Sequence, residues 1–234
     1  MKKTLKLCAA FVLSVLMLGQ GASAFPPAES SIGLISKVIL DVSHKELGKD
    51  WQTAKKGETL TSGDKVKTGA KSVAIIKFKD NSLVRVRELS ELTVTGSMNG
   101  SAFSKSIEMK SGVVGFNIMK QQIGEQFRFS SPTSVASIRG TGGSFSTTGT
   151  ADTLIVTEGT IEFTNNSSSQ KVEVAAGHTG ISRPDGTIVT RLSTPEEKAA
   201  AEQAARPGEQ DNRLEFELRD GRGNSKRLKI DFKD

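Results

Sequence analysis

Short stretches that alternate apolar and polar residues recur along most of this chain, and they constrain its fold more than any other feature. Between Val73 and Lys79, the side chains of Ala74, Ile76 and Phe78 share one face, which is the period-two pattern of a half-buried strand. Turn sequences separate such stretches at intervals of about 8 to 12 residues, among them Asp80-Asn81, Asn99-Gly100 and Ser111-Gly112. The pattern predicts an all-β domain of many short antiparallel strands, arranged as a sandwich, a barrel or a solenoid.

The densest local pattern runs from Phe127 to Thr147 and reads FRFSSPTSVASIRGTGGSFST. Ser131-Pro132 ends a strand, because proline lacks a backbone donor and pushes the preceding residue into an extended conformation. The segment from Val135 to Ile138 is a short apolar return. The next residues, Gly140 to Gly143, include three glycines, which predicts a tight corner between two strands.

Three motifs of the chain resemble the FecR domain family. The first runs from Ser131-Pro132 to Arg139-Gly140-Thr141, the second is TLIVTEGTIEF at residues 153–163, and a third, from Trp51 to Ser82, is similar to the family's opening. The resemblance covers residues 32–182. It departs from the family pattern at Ser131, where threonine is usual, and at Gly142-Gly143, which widen the spacing. The matching residues, whose expected role is structural, are Trp51, Gly63, Asp64, Thr68, Gly69, Pro132, Arg139, Gly140, Thr141, Glu158 and Gly159.

The resemblance implies a FecR-like sandwich or solenoid-like β domain and a role in binding. FecR domains are periplasmic modules of regulators that sense iron-carrier uptake in Gram-negative bacteria. There the domain takes a signal from an outer-membrane receptor and passes it through a membrane helix to a cytoplasmic segment that controls a sigma factor. The sequence predicts a cleavable signal in place of that helix and no anti-sigma segment. We therefore expect a stand-alone exported form, a non-catalytic module that binds an envelope protein of the outer or inner membrane in signalling or scaffolding.

The first 24 residues read as a secretory signal peptide. Lys2, Lys3 and Lys6 precede the apolar run from Leu7 to Leu18, and Ala22-Ser23-Ala24 is a small-x-small cleavage site. Cleavage after Ala24 predicts a periplasmic or secreted protein without a transmembrane helix. The loss of three lysines lowers the formal net charge from +6 to +3, and this mild, dispersed basicity argues against nucleic-acid binding.

The remaining chain divides into four predicted parts. A flexible leader at residues 25–31 precedes the FecR-like β domain at 32–190, which a helical linker at 191–212 joins to a C-terminal β-hairpin at 213–234. Thr194-Pro195-Glu196-Glu197 is a capping box at the start of a short helix, which is expected to act as a spacer. We expect the hairpin to pack in cis, on the β domain of the same chain. The alternative is that it packs on a partner.

The sequence predicts no catalytic residue, no metal site and no cofactor. His44 and His178 are the two histidines, neither has a second ligand at metal spacing, and both are expected in loops. Ser62-Gly63-Asp64-Lys65 and Lys67-Thr68-Gly69 formally match motifs of penicillin-recognising enzymes, but the two overlap in one glycine-rich turn. We therefore interpret them as chance matches and the protein as not an enzyme.

Two residues carry alternative hypotheses. Arg139 and the backbone of Gly140 to Gly143 are a candidate anion site, although a purely structural corner is the favoured interpretation. Trp51 is expected to lie in the core, and the alternative is an exposed platform for a carbohydrate or a peptide. In that second case the protein binds cell-wall polysaccharide or a small ligand, with Arg85 and Arg87, expected to face an edge, as further contacts.

Overall fold

A computed structural model describes residues 31–99, 102–205, 213–219 and 225–231, the last two ranges as backbone strands. The predicted signal peptide lies outside the described residues, as does the leader except for Ser31. Within the described residues the chain forms nineteen strands and one helix, so the predicted all-β class with a short C-terminal helix and a terminal hairpin is confirmed.

Seventeen strands build two layers that share one long strand. The front layer is, in spatial order, β4 (Thr59–Leu60), β1 (Gly33–Ile39), β6 (Val73–Phe78), β7 (Leu83–Val86), the second half of β9 (Ala102–Ile118), β12 (Thr141–Thr147), β13 (Asp152–Glu158), β16 (His178–Ser182) and β17 (Ile188–Leu192). The back layer is β3 (Gln52–Thr53), β2 (Val42–Lys45), β5 (Asp64–Thr68), β8 (Glu91–Asn99), the first half of β9, β10 (Phe127–Ser130), β11 (Ser134–Ile138), β14 (Thr160–Asn165) and β15 (Lys171–Ala175).

Strand β9 lies at the centre of both layers. Its first half pairs with β8 and, in parallel, with β10, whereas its second half pairs with β7 and β12. Every other strand pair in the two layers is antiparallel. One continuous strand therefore ties the layers together.

Phenylalanine rings from the two layers interdigitate to form the centre of the core. Phe129 of the back layer lies 4.9 Å from Phe116 and 6.0 Å from Phe145 of the front layer, measured between ring centroids. Phe78 meets Phe127 edge to face at 5.0 Å, a geometry that the aromatic quadrupole favours. These rings bury the inner faces of both layers in one hydrophobic cluster.

Strand β6 has the inward face that the alternation of its sequence predicts. Ala74, Ile76 and Phe78 point into the core, with at most 2% of each side chain exposed. Val73 and Ile75 lie on the outer face, yet they are also buried. The outer face of the front layer is therefore covered in part, which the alternation alone does not predict.

The helix α1 (Pro195–Ala205) lies on the outer face of the front layer, where Ala201 and Ala204 are buried. Its approach is close because Gly115 of β9 has no side chain: an added Cβ would lie 2.0 Å from the Ala204 carbonyl oxygen. The interpretation of this helix as a spacer is wrong, because a sequence with two inward alanines can still pack when the opposing residue is glycine.

Hydrogen bonds fix the start of α1. The predicted capping box forms, since Thr194 N donates to Glu197 Oε2 at 2.9 Å and Glu197 N donates to Thr194 Oγ1 at 3.2 Å. The two terminal guanidinium nitrogens of Arg191, Nη1 and Nη2, also donate to the Glu197 carboxylate, at 2.8 and 2.7 Å. This ion pair lowers the pKa of Glu197 to about 2, so the carboxylate stays ionised at neutral pH and links the helix to strand β17.

The predicted terminal hairpin consists of β18 (Arg213–Arg219) and β19 (Ser225–Asp231). The two strands pair antiparallel in a register that sets Glu215 opposite Lys229 and Glu217 opposite Arg227. Unlike charges therefore occupy opposing positions of the ladder, as the alternation of the sequence predicts for Glu215 and Lys229.

Candidate functional site

The Arg139-Gly140-Thr141 motif forms a corner at which the chain passes from the back layer to the front layer. Strand β11 ends at Ile138, β12 begins at Thr141, and Gly140 between them has a φ of +81°, which favours glycine. A second corner at Glu158-Gly159 lies beside it, and a Cβ on Gly159 would come within 2.6 Å of Thr141 Cγ2. The structure thus brings the first two motifs together.

The third motif lies elsewhere and also organises turns. The buried Asp64 carboxylate accepts hydrogen bonds from Leu47 N at 3.1 Å and from Thr61 N at 2.8 Å. Thr68 Oγ1 accepts from Ser90 N at 3.1 Å. These contacts hold the loops that flank β5, whereas the exposed Pro132 lies in the turn between β10 and β11.

The two groups of motif residues lie at opposite ends of the second half of β9. Thr141 is opposite Ile118, whereas the Arg87 amide, next to the Thr68 loop, bonds to Val113 O at 2.9 Å. The family motifs therefore do not converge on one site.

Arg139 lines a pocket of about 550 Å³ on the outer face of the back layer. We call it the arginine pocket; its lining includes the loop at residues 122–126 together with Arg128, Ser137, Arg139, Glu162 and Lys171. Arg139 is exposed and makes no hydrogen bond or ion pair within the described residues. The favoured structural interpretation, in which Arg139 satisfies carbonyl groups at the strand end, is therefore wrong for its guanidinium.

A set of four apolar residues, exposed or partly exposed, occupies neighbouring corners of the chain beside Thr68-Gly69. We call it the corner ridge; its residues are Leu40, Ala70, Leu89 and Val113. Leu40 and Leu89 are 69% and 66% exposed and have left-handed φ angles of 58° and 54°. The corners are neighbours, since Gly69 N bonds to Asp41 O at 2.9 Å and Leu89 N bonds to Gly69 O at 3.1 Å.

Trp51 is not in the core but 39% exposed. It lines a pocket of about 310 Å³ with Asp41, Ser43, Lys67 and Gly69, directly beside the corner ridge. The core prediction is wrong because Trp51 precedes β3, a two-residue strand at the edge of the back layer. At that position few neighbours are available to cover an indole ring.

A histidine lies between two carboxylates at the end of β2 and β5. His44 Nδ1 is 3.4 Å from Glu58 Oε2, and His44 Nε2 is 3.4 Å from Asp64 Oδ2. His44 is 7% exposed and lies in strand β2, and His178 lies in β16, so the expectation of loop histidines is wrong for both. His44 and Asp64 come from two strands and Glu58 from the loop before β4, which is why sequence spacing does not reveal this cluster.

The described residues contain no group of three or more histidine, aspartate or glutamate side chains arranged to hold a metal ion. No helix among them is both long and apolar enough to cross a membrane.

Arg85 is 6% exposed and lies opposite Gly115 in the register of the front layer, beneath the region that α1 covers. Its predicted position facing an edge is therefore wrong.

The side chains that sequence reasoning missed are Leu40, Leu89, Ile123 and Arg128. Leu40 and Leu89 stand in otherwise polar turns, next to Asp41 and Ser90, and an apolar residue at a turn position is a signal that a sequence search can use. Ile123, which is 94% exposed, gives the same signal within the polar loop between β9 and β10.

Comparisons with known proteins give one matching family model and two similar crystal structures. Two crystal structures of a candidate anti-sigma factor from Parabacteroides distasonis ATCC 8503 are similar to this chain, each at 13% sequence identity and a TM-score of 0.49. The similarity covers 58% of this chain and 63% or 62% of those chains, so the chain spans less than two thirds of their length. No curated protein matches it. The FecR protein family model matches residues 64–162, which lie within residues 32–182, the span over which the sequence resembles that family.

Proposed function

We propose that this protein is a non-catalytic interaction module of the bacterial envelope that binds a protein partner in signalling or scaffolding. The FecR domain at residues 64–162 supports a regulatory role, and the predicted signal peptide supports an exported address. The observation that carries the proposal is the corner ridge. Its two leucines are exposed and held in a conformation that L-residues rarely adopt.

The backbone conformation of Leu40 and Leu89 is unfavourable without a compensating contact in the described fold. A left-handed conformation costs a non-glycine residue about 1–2 kcal/mol, and a largely exposed leucine regains little of this by burial. Unfavourable backbone conformations cluster at sites of function. A protein partner that covers the ridge would bury both leucines and the neighbouring Val113.

Replacement of Leu89 by glycine is expected to separate stability from binding. Glycine adopts the φ of +54° found here without steric cost, so the free energy of unfolding should rise by about 0.5–1 kcal/mol. Partner binding should fall, because the exposed apolar side chain is lost. Lys71→Gly is the matched control, since Lys71 is exposed at φ +58° on the adjacent corner but is not apolar. It should gain stability and keep binding.

The binding measurement uses a photo-crosslinking residue at Ala70, between the two leucines, in the native bacterium. One dominant crosslinked envelope protein is expected in the otherwise unchanged protein and in Lys71→Gly, and much less of it in Leu89→Gly. A crosslinker at Asp185, exposed in the turn between β16 and β17, reports unspecific capture. Equal capture by Leu89→Gly and Lys71→Gly would contradict the role of the ridge.

Binding of a cell-wall polysaccharide or small ligand is the second candidate, and the exposure of Trp51 favours it. Indole rings stack on sugar faces as amphipathic platforms, and Trp51 is the single tryptophan of the chain. Intrinsic fluorescence therefore reports directly on this site. If a glycan binds, soluble peptidoglycan fragments should shift the emission, and Trp51→Ala should lose the binding measured by calorimetry while keeping its melting midpoint within about 2 °C. An unchanged emission at saturating fragment would reject this function.

A further inference from the structure

Two arginines on adjacent strands line the arginine pocket. Arg128 on β10 is directly opposite Ser137 on β11, and Arg139 follows two residues later on the same face. Diagonal positions of this kind lie about 7–8 Å apart between Cα atoms, within reach of long side chains. The two arginines can therefore approach a single ligand group from adjacent strands.

Neither arginine forms an ion pair among the described residues, although two carboxylates and Lys171 also line the pocket. The two carboxylates that line the pocket have other contacts: Glu162 pairs with Lys171 at 3.0 Å, and Glu125 accepts a hydrogen bond from Gln122 N at 3.4 Å. Arg128 donates to the neutral Gln126 side chain. Arg139 has no partner among the described residues. The pocket thus offers two guanidinium groups to an incoming anion, and a guanidinium suits a planar carboxylate particularly well.

The wall of the pocket adds an apolar contact. The loop at residues 122–126 turns at Gly124, whose φ is +87°, and presents Ile123 with 94% of its surface exposed. An isoleucine this exposed contributes almost nothing to the core. Its position in the lining beside Arg128 and Arg139 combines an aliphatic group with a positive floor.

From this geometry we infer that the arginine pocket binds an acidic segment of a polypeptide, in which one carboxylate meets Arg128 and Arg139 and an adjoining aliphatic side chain contacts Ile123. The inference rests on the proposed function, since it assigns the chemistry of a partner's docking segment. A peptide fits better than a free anion because the pocket pairs charge with an apolar wall and measures about 550 Å³, far more than one carboxylate fills.

The test is a titration of the purified full chain with the blocked peptides GLDLG and GLNLG, followed by backbone amide NMR. GLDLG is expected to shift the amides of residues 122–128 and 137–139, and GLNLG should bind about tenfold more weakly, since it lacks the charge. Arg139→Gln should weaken GLDLG binding about tenfold. Arg183→Gln, which removes an exposed arginine far along the sequence between β16 and β17, should leave it unchanged.

The apolar wall has its own variant. Ile123→Ser should weaken the binding of both peptides by the same factor and leave the preference for GLDLG intact. Because Ile123 is exposed, this substitution should not unfold the protein. Equal affinity for the two peptides would overturn the inference, as would a pocket that responds to inorganic phosphate or to vesicles of anionic phospholipid but not to GLDLG. Leu89→Gly should retain GLDLG binding, so failure of the corner ridge and failure of the pocket are distinguishable.

Discussion

Replacement of Gly115 by alanine is expected to lower the free energy of unfolding by about 2–3 kcal/mol, as overpacking of a well-fitted contact does. The added methyl group would lie 2.0 Å from the carbonyl oxygen and 2.1 Å from the carbonyl carbon of Ala204. These are backbone atoms of α1, which cannot rotate away as the end of a long side chain can. The whole helix must shift or leave the front layer, and denaturant titration would measure the loss.

Removal of the helix supplies the control for this prediction. A chain that ends after Leu192 keeps β17 but lacks α1 and the hairpin, and it should melt at a lower temperature because the outer face around Ile155 loses its cover. In that shorter chain Gly115→Ala should cost less than about 0.5 kcal/mol, since the clash no longer exists. A full cost in the short chain would show that strand β9 itself, and not helix packing, requires glycine.

Replacement of Phe129 by alanine is expected to have the largest effect, a loss of about 3–5 kcal/mol. Phe129 is fully buried and contacts Phe116, Phe127 and Phe145 with centroid distances of 4.9, 5.6 and 6.0 Å. Alanine would leave a cavity between the two layers, bordered by rings that belong to different strands and cannot collapse together. Unfolding in guanidinium chloride, followed by circular dichroism, would measure the loss.

Phe103 provides a comparison within the same core. It packs against the cluster but is only partly buried, so Phe103→Ala leaves space that solvent can enter and should cost about 1–2 kcal/mol. If the two variants lose the same stability, the aromatic stack has no special role. A larger loss at Phe129 would confirm that contact between the layers is concentrated there.

Local pattern was sufficient to predict most strands and several of the corners, but the turn predicted at Ser111-Gly112 is wrong, since both residues lie inside β9. The alternation of Ala74, Ile76 and Phe78 predicts their burial, because a strand face is set by residue parity alone. The glycines after Arg139 predict a corner because a tight turn needs a residue with positive φ, and glycine is the residue that adopts it without steric cost. The capping box at Thr194 likewise depends on residues three positions apart.

The features that the sequence did not reveal depend on contacts between distant segments. Arg85 alternates like a residue facing solvent, and its burial follows from a helix that begins 110 residues later. The exposure of Trp51 depends on β3 being an edge strand, and the His44 cluster depends on how β2, β5 and the loop before β4 meet. None of these relations has a sequence period, so no local pattern could have indicated them.

Strand β9 also determines the order in which the chain can fold. Strands β1 to β8 pair only with one another and with β9, and β10 to β17 likewise, within the described part of the chain. During synthesis the N-terminal part of the chain appears first, so β1 to β9 can complete their pairing with one another once residue 118 is available. The exposed edges of β9 then serve as the template for the second half. Until that half arrives, these edges are open to pairing with other chains, so the interval between synthesis of β9 and of β12 is the period of greatest risk of aggregation.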